Sequence, residues 1–180
     1  MALKATIYKA ELQVADLDRH YYANHSLTLA RHPSETDERL MTRLLMYALY
    51  AEEGIAFTRG LSETDEPEIW VRDLTGAITL WIDIGQPDEA RLRKACGRAG
   101  RVIVLIHSGG WEVWWRQIEP KLARLGNLAV AQLPVATGQA LAGLAQRNMR
   151  LQCLVQDSAI WLSGDDARVE VALRWLKPPA

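Results

Sequence analysis

Five consecutive aliphatic residues, Val102-Ile103-Val104-Leu105-Ile106, constrain the fold of this chain more than anything else in its sequence. Side chains along a strand point alternately to the two faces of a sheet, so a run with no polar alternate must be covered on both. Arg101 to Ser108 is therefore expected as a central strand. Covering helices are available on either side of it. Gly85-Gln86-Pro87-Asp88 opens one, with Pro suited to a first helical turn, and that helix continues to about Ala99 and closes at Gly100. Trp111 to Leu125 supplies another, interrupted at Pro120.

Elsewhere the period changes. Thr6 to Asp16 and Tyr21 to Arg31 alternate apolar and polar residues about the break Asp16-Leu17-Asp18-Arg19, which predicts an antiparallel hairpin. His32-Pro33-Ser34 ends it, and Ser34 with Asp37 three residues on approaches a capping box. Leu40, Leu44, Leu45, Tyr47, Ala48 and Ala51 then recur at helical spacing, so a helix is expected to about Glu52, stopping at Gly54. After a polar loop from Thr58 to Pro67, Glu68 to Asp73 and Ile78 to Asp83 read as a second hairpin around Thr75-Gly76. Leu128 to Leu133 is a short strand and Thr137 to Ala145 a short helix. The tail, Leu151 to Gln156, Ala159 to Leu162 and Ala167 to Leu176, reads as a strand meander. With no repeat or Gly/Ser linker, the expectation is one α+β domain over residues 1–180, a compact mixed β-sheet with flanking helices.

A net charge of −1 over 180 residues argues against a general polyanion binder, because affinity for nucleic acid comes largely from phosphates neutralised by Lys and Arg. Any basic surface must be local. Cys96 and Cys153 form no CxxC pair, so neither a zinc knuckle nor a disulfide framework is indicated, and a cytoplasmic location is expected. No apolar run approaches the roughly 20 residues of a membrane span. A core of this size needs no second subunit, so a monomer is expected.

The residues with chemical promise begin at Glu66-Pro67-Glu68. Fifteen residues after Glu68 stands Asp83, inside Ile78-Thr79-Leu80-Trp81-Ile82-Asp83-Ile84. Neighbouring strands lie about 4.8 Å apart, so two acids on one face of a hairpin can share a divalent cation. Mg²⁺ accepts one or two carboxylates and fills its octahedron with water and substrate phosphate. A lone carboxylate in a buried strand costs several kcal/mol, so Asp83 must be solvated at the strand end, paired with a base or bound to metal. Bases follow on the next helix, where Arg91, Lys94 and Arg98 share one face.

The segments Ser34-Glu35-Thr36-Asp37-Glu38-Arg39, Asp65-Glu66-Pro67-Glu68, Trp81 to Asp88, Lys94-Ala95-Cys96-Gly97-Arg98-Ala99, Leu151-Gln152-Cys153 and Ile160-Trp161-Leu162 carry a resemblance over nearly the whole chain. It resembles the YaeQ family of bacterial proteins, which implies a compact variation on the PD-(D/E)xK nuclease fold. On that resemblance Pro67-Glu68 stands for the Pro-acid pair, Asp83 for the first acid of the second motif, and Glu38 for the acid on the leading helix. Glu68, Asp83 and Glu38 would then hold Mg²⁺ or Mn²⁺. The pattern places Lys two residues after Asp83, where this chain has Gly85. Lys94 is the candidate replacement, with Gln86 orienting water or phosphate.

The implied activity is metal-dependent phosphodiester hydrolysis of nuclease type. The missing lysine points to an alternative, a non-catalytic, nuclease-derived nucleic-acid-binding or transcription-associated regulatory protein that uses the Arg91/Lys94/Arg98 helix. A small phosphorylated substrate is a third reading. Each residue also has a plainer role. Glu38 suits the first turn of a helix by the macrodipole alone. Glu68 can be a solvated edge residue, and the Arg-rich helix a solvated face pairing with Asp88 and Glu89. Trp111, Trp114 and Trp115 fit core packing better than a base-stacking platform. His107-Ser108-Gly109-Gly110 lacks phosphate-loop spacing, and His20, His25 and His32 lack metal-ligand spacing.

Overall fold

A computed structural model describes residues 4–59 and 65–180. The elements in chain order are β1 (Thr6–Asp16), β2 (Tyr21–Arg31), α1 (Asp37–Leu49), β3 (Ile55–Phe57), β4 (Ile69–Arg72), β5 (Ile78–Ile84), α2 (Glu89–Arg98) and β6 (Ala99–Ile106). They continue as α3 (Trp111–Leu122), β7 (Leu128–Gln132), α4 (Val135–Ala142), β8 (Asn148–Gln156), β9 (Ala159–Ser163), β10 (Arg168–Val171) and β11 (Arg174–Lys177). The class is α+β, with two mixed sheets where one was expected. The chain divides into two compact units, one of residues 1–51 and 136–172, the other of residues 52–135 and 173–180.

The first unit holds a five-stranded sheet in the order β10-β9-β8-β1-β2. The hairpin of β1 and β2 runs in unbroken register from Thr6 opposite Arg31 to Asp16 opposite Tyr21, as their alternation predicts. β8 joins the other side of β1 in parallel, and β8, β9 and β10 form the expected meander. Asp157 and Ser158 both take positive φ (51° and 66°), and their N–H groups donate to the two carboxylate oxygens of Asp18 at 2.8 Å each. One turn thereby clamps another. Leu12, Val14, Leu29, Leu151 and Cys153 are buried on one face, whereas Glu11, Gln13, Asn24, Ser26 and Gln152 are exposed on the other. α1 packs on β1 and β8, and every residue from Leu40 to Ala48 is buried.

The second unit holds a six-stranded sheet in the order β11-β7-β6-β5-β4-β3. β5, β6 and β7 are parallel, linked through α2 and α3, and β6 lies in the interior of the sheet as its apolar run requires. Trp81, Val102, Val104, Ile106 and Val130 pack with Leu92 and Ala95 of α2 and with Ile118 and Leu122 of α3. Trp111, Trp114 and Trp115 are half-buried against this cluster, which is the packing role expected of them. Alternate residues of the same strands, Leu80, Ile82, Ile103 and Leu105, are also buried.

Several boundaries differ from the expected ones for local reasons. The α1 cap is Thr36, whose Oγ1 accepts the Arg39 N–H at 3.1 Å, while the Ser34 hydroxyl bonds His32 Nδ1 at 2.6 Å. α1 ends at Leu49, and Gly54, with φ 87°, serves the turn into β3, a strand too short to announce itself. Pro87 precedes α2, whose cap is Asp88, accepting the Arg91 N–H at 2.8 Å. Gly100 lies inside β6, where a Cβ would stand 3.1 Å from the Thr79 carbonyl oxygen of β5. Pro120 lies inside α3, which continues to Leu122. Ala167 to Leu176 contains two strands that join different sheets, with neither Gly nor Pro at the break to signal it.

Candidate functional site at the end of β5

Residues 81 and 83 of β5 share the sheet face that α2 covers, so the carboxylate of Asp83 enters the layer occupied by Trp81. Asp83 is only 3% exposed. A charge so placed must be answered, and α2 answers it. Arg91 Nε lies 2.8 Å from Asp83 Oδ2 and Nη2 lies 2.9 Å from Oδ1, a bidentate fork. Nη2 also donates to the Glu66 carbonyl at 2.8 Å, and the guanidinium lies 5.8 Å from the Trp81 ring centre. The Asp83 hydrogen bond raises the Arg91 pKa, against the opposing effect of burial. Of the three fates open to Asp83, pairing with a base is the one realised.

Glu68 is buried beside this pair at 7% exposure. Its N–H donates to the Ile82 carbonyl at 3.0 Å, and its carbonyl accepts the Thr58 N–H at 3.1 Å. The Thr58 hydroxyl donates to the Pro67 carbonyl, which fixes the chain just ahead of β4. Both Glu68 and Asp88 add to the field that holds Arg91 charged. The two acids expected to meet at the strand end are thus brought to one cation, and that cation is a side chain.

The remaining expected participants are placed elsewhere. Lys94 Nζ pairs with Asp65 Oδ1 at 2.9 Å on the surface, and Arg98 Nη1 donates to the Asp65 carbonyl at 2.7 Å. The Lys94 hydrogen bond, aided by its charge, holds the Asp65 carboxyl below its ordinary range. Arg98 also lies over Trp81, 5.1 Å from the ring centre. Gln86 reaches the loop after β6, its Nε2 lying 3.3 Å from the Gly109 carbonyl and 3.4 Å from Ser108 Oγ. Gly85 adopts φ 117° and donates its N–H to the Leu105 carbonyl at 2.9 Å, so the position where the nuclease pattern has lysine is a strand exit whose backbone suits glycine and would strain a lysine. Glu38 belongs to the other unit, where its carboxylate occupies the space that a Cβ at Gly138 would need, 2.7 Å from Oε1.

Both carboxylate oxygens of Asp83 are engaged by the Arg91 guanidinium, so a divalent cation there would have to share or displace that arginine. Among the described residues no group of three or more His, Cys, Asp and Glu is placed to hold a metal ion. No helix among them is long and apolar enough to cross a membrane.

A buried acid in the other unit was not anticipated from the sequence. Glu35 is 4% exposed and lies between Arg39 Nη1 at 2.6 Å and Arg43 Nη2 at 2.7 Å. Nor was a histidine held between two phenols anticipated. His25 Nε2 lies 2.9 Å from the Tyr21 hydroxyl and Nδ1 lies 3.4 Å from that of Tyr47, with burial lowering its pKa. The spacing of Glu35, Arg39 and Arg43 at four-residue intervals was the available signal for the first. The second needs Tyr47, 22 residues from His25, and gave none.

The family model described as YaeQ protein matches residues 1–173. The chain belongs to the YaeQ family. It is 48% identical over 180 residues to the uncharacterized protein YaeQ of Escherichia coli K12, and 49% identical to that of Salmonella typhi, with 99% of each chain covered. Among solved structures it resembles the YaeQ protein of Xanthomonas axonopodis pv. citri, at a TM-score of 0.92 and 48% identity, covering 97% of this chain and 99% of that one. The YaeQ protein of Pseudomonas syringae also matches at 0.92, with 37% identity and 97% of each chain covered. The family relationship therefore spans both units.

Proposed function

We propose that this YaeQ-family chain works by binding rather than by hydrolysis, as a nuclease-derived scaffold that engages nucleic acid along α2 in a regulatory role. The observation that carries this reading is the bidentate Arg91–Asp83 pair, which commits the acid central to the nuclease pattern to the protein's own cation. Lys94 is meanwhile left at the surface, 61% exposed and paired with Asp65, which is 68% exposed. Exposed pairs of this kind are weak and exchange readily for a phosphate. Arg98 and Arg93 lie on the same helix and are exposed. With about three phosphates neutralised on B-DNA, affinity is expected to fall about fortyfold between 50 and 200 mM salt.

Fluorescence anisotropy of labelled duplex and single-stranded DNA and RNA, with Mg²⁺ present and strand length monitored, tests the proposal. The expected result is salt-sensitive binding that weakens in the Lys94→Ala/Arg98→Ala variant, with the strands intact. Metal-dependent cleavage that disappears in Asp83→Ala would overturn it.

One observation favours a metal-dependent phosphodiesterase as the second reading. Glu68 and Asp83 are both buried and both act on Arg91, so loss of that arginine would remove a positive charge that the two acids share. On this reading, Arg91→Ala strengthens Mg²⁺ or Mn²⁺ binding; on the first, it leaves metal binding undetectable.

A further inference from the structure

The four outer strands of the two sheets differ sharply. β3 has 3 residues, and β10 and β11 have 4 each. β10 carries Arg168 and Glu170; β11 carries Arg174 and Lys177, and its pairing with β7 shifts register between Trp175 and Lys177. Short length, charge and irregular register are the usual protections of a sheet edge against pairing with another chain. β2 has little of this, its one charge being the last residue, Arg31. It is 11 residues long and pairs with β1 in unbroken register. From Tyr21 to Ala30 it contains no Lys, Arg, Asp, Glu, Pro or Gly.

Its outer edge can be read residue by residue. Arg43 Nη2 donates to the Ala30 carbonyl at 3.1 Å, so that carbonyl points away from β1. In an antiparallel pair the outward-pointing residues alternate, each directing both N–H and C=O outward, which assigns Tyr22, Asn24, Ser26, Thr28 and Ala30 to the edge. Among the described residues, the backbone of 22–30 makes no main-chain hydrogen bond outside its pairing with β1. The side chains of these five residues are exposed. A regular row of donors and acceptors therefore lies along the uncharged stretch from Tyr22 to Ala30.

We infer that β2 is a homodimerisation edge, pairing antiparallel with β2 of a second copy about a twofold axis at Ser26 to join two five-stranded sheets into one. The strand is complementary to itself in this register. Ser26 faces Ser26 of the partner subunit and Asn24 faces Thr28, each of these pairs exchanging two main-chain hydrogen bonds, while Tyr22 packs over Ala30, whose carbonyl already accepts from Arg43. At the ends Arg31 comes opposite Tyr21, so no like charges are opposed. A twofold interface requires such self-matching, whereas an unrelated extended peptide would not select it.

Sedimentation equilibrium of the full chain at micromolar to millimolar concentration tests the inference. The expected species has about twice the 20.2 kDa chain mass. Ser26→Pro removes an outward N–H that β1 does not use, and an edge strand tolerates it. It should weaken association about thirtyfold, from two lost main-chain bonds per dimer. Asn24→Lys with Thr28→Lys should also dissociate the dimer, by setting lysines against each other across the axis. Asn24→Lys with Thr28→Glu should restore it, because residue 24 of each copy meets residue 28 of the other. Circular dichroism checks that each variant is folded. A parent chain that stays monomeric throughout, or a dimer indifferent to these three variants, would overturn the inference.

Discussion

Glu35 and Asp83, buried carboxylates of different units, are treated in the same way. Glu35, just before α1, is 4% exposed and shared by Arg39 and Arg43, whose side chains are 14% and 6% exposed. Asp83, at the end of β5, is 3% exposed and held by Arg91, which keeps 31% of its side chain in solvent. The nuclease pattern marks Asp83 for catalysis and says nothing of Glu35, yet the surroundings of the two are alike. Burial of an acid is therefore no sign of chemistry here. What separates the pair is how deeply the answering cation is buried, and that difference sets the cost of breaking each.

Removing the acid measures this directly. Glu35→Ala strands Arg43 inside the protein and should cost roughly 3 to 5 kcal/mol in denaturant unfolding. Asp83→Ala frees an arginine that can turn to water, so its cost should be smaller, roughly 1.5 to 3 kcal/mol. Equal costs would erase the distinction. Acid should sharpen it next, because His25 belongs to the same unit as Glu35. Burial lowers its pKa below 6.5, so its contribution to stability is present above 6.5 and lost as pH falls through the folded value. His25→Gln should flatten the stability profile in that acid window. At the alkaline end Cys153 acts in the opposite sense. Burial, reinforced by Asp16, pushes its thiol up to about 12, so its contribution is present below 9.0 and lost as pH rises toward about 12. Native Cys153 should resist thiol reagents near neutral pH. The smallest effect is expected at the surface, where Lys94→Ala should leave the unfolding midpoint unmoved, since its pair with Asp65 is exposed on both sides.

The sheets were legible where periodicity is a local property. The alternation of β1 and β2 and the aliphatic run of β6 each state how many faces are covered, and both are found as expected. The division into two sheets was not legible. It depends on pairings between strands far apart in sequence, such as β8 with β1, and no turn residue at Ala172-Leu173 marks the passage of the chain from one sheet to the other. At the site, the isolation of Asp83 among aliphatic residues correctly demanded a partner, and Arg91 was on the helix expected to supply one. The choice between metal and arginine was not legible, because it rests on the reach of one side chain across the β5–α2 packing. Lys94 illustrates the same limit. Its place on α2 follows from spacing, but its partner, Asp65, lies 29 residues away.

Calorimetric titration with Mn²⁺ of the parent, Asp83→Ala and Arg91→Ala proteins tests most directly whether Asp83 serves its arginine rather than a metal. The account predicts no detectable binding at millimolar cation in any of the three. Binding by the parent that is lost in Asp83→Ala and strengthened in Arg91→Ala would contradict it and restore Asp83 as a metal ligand.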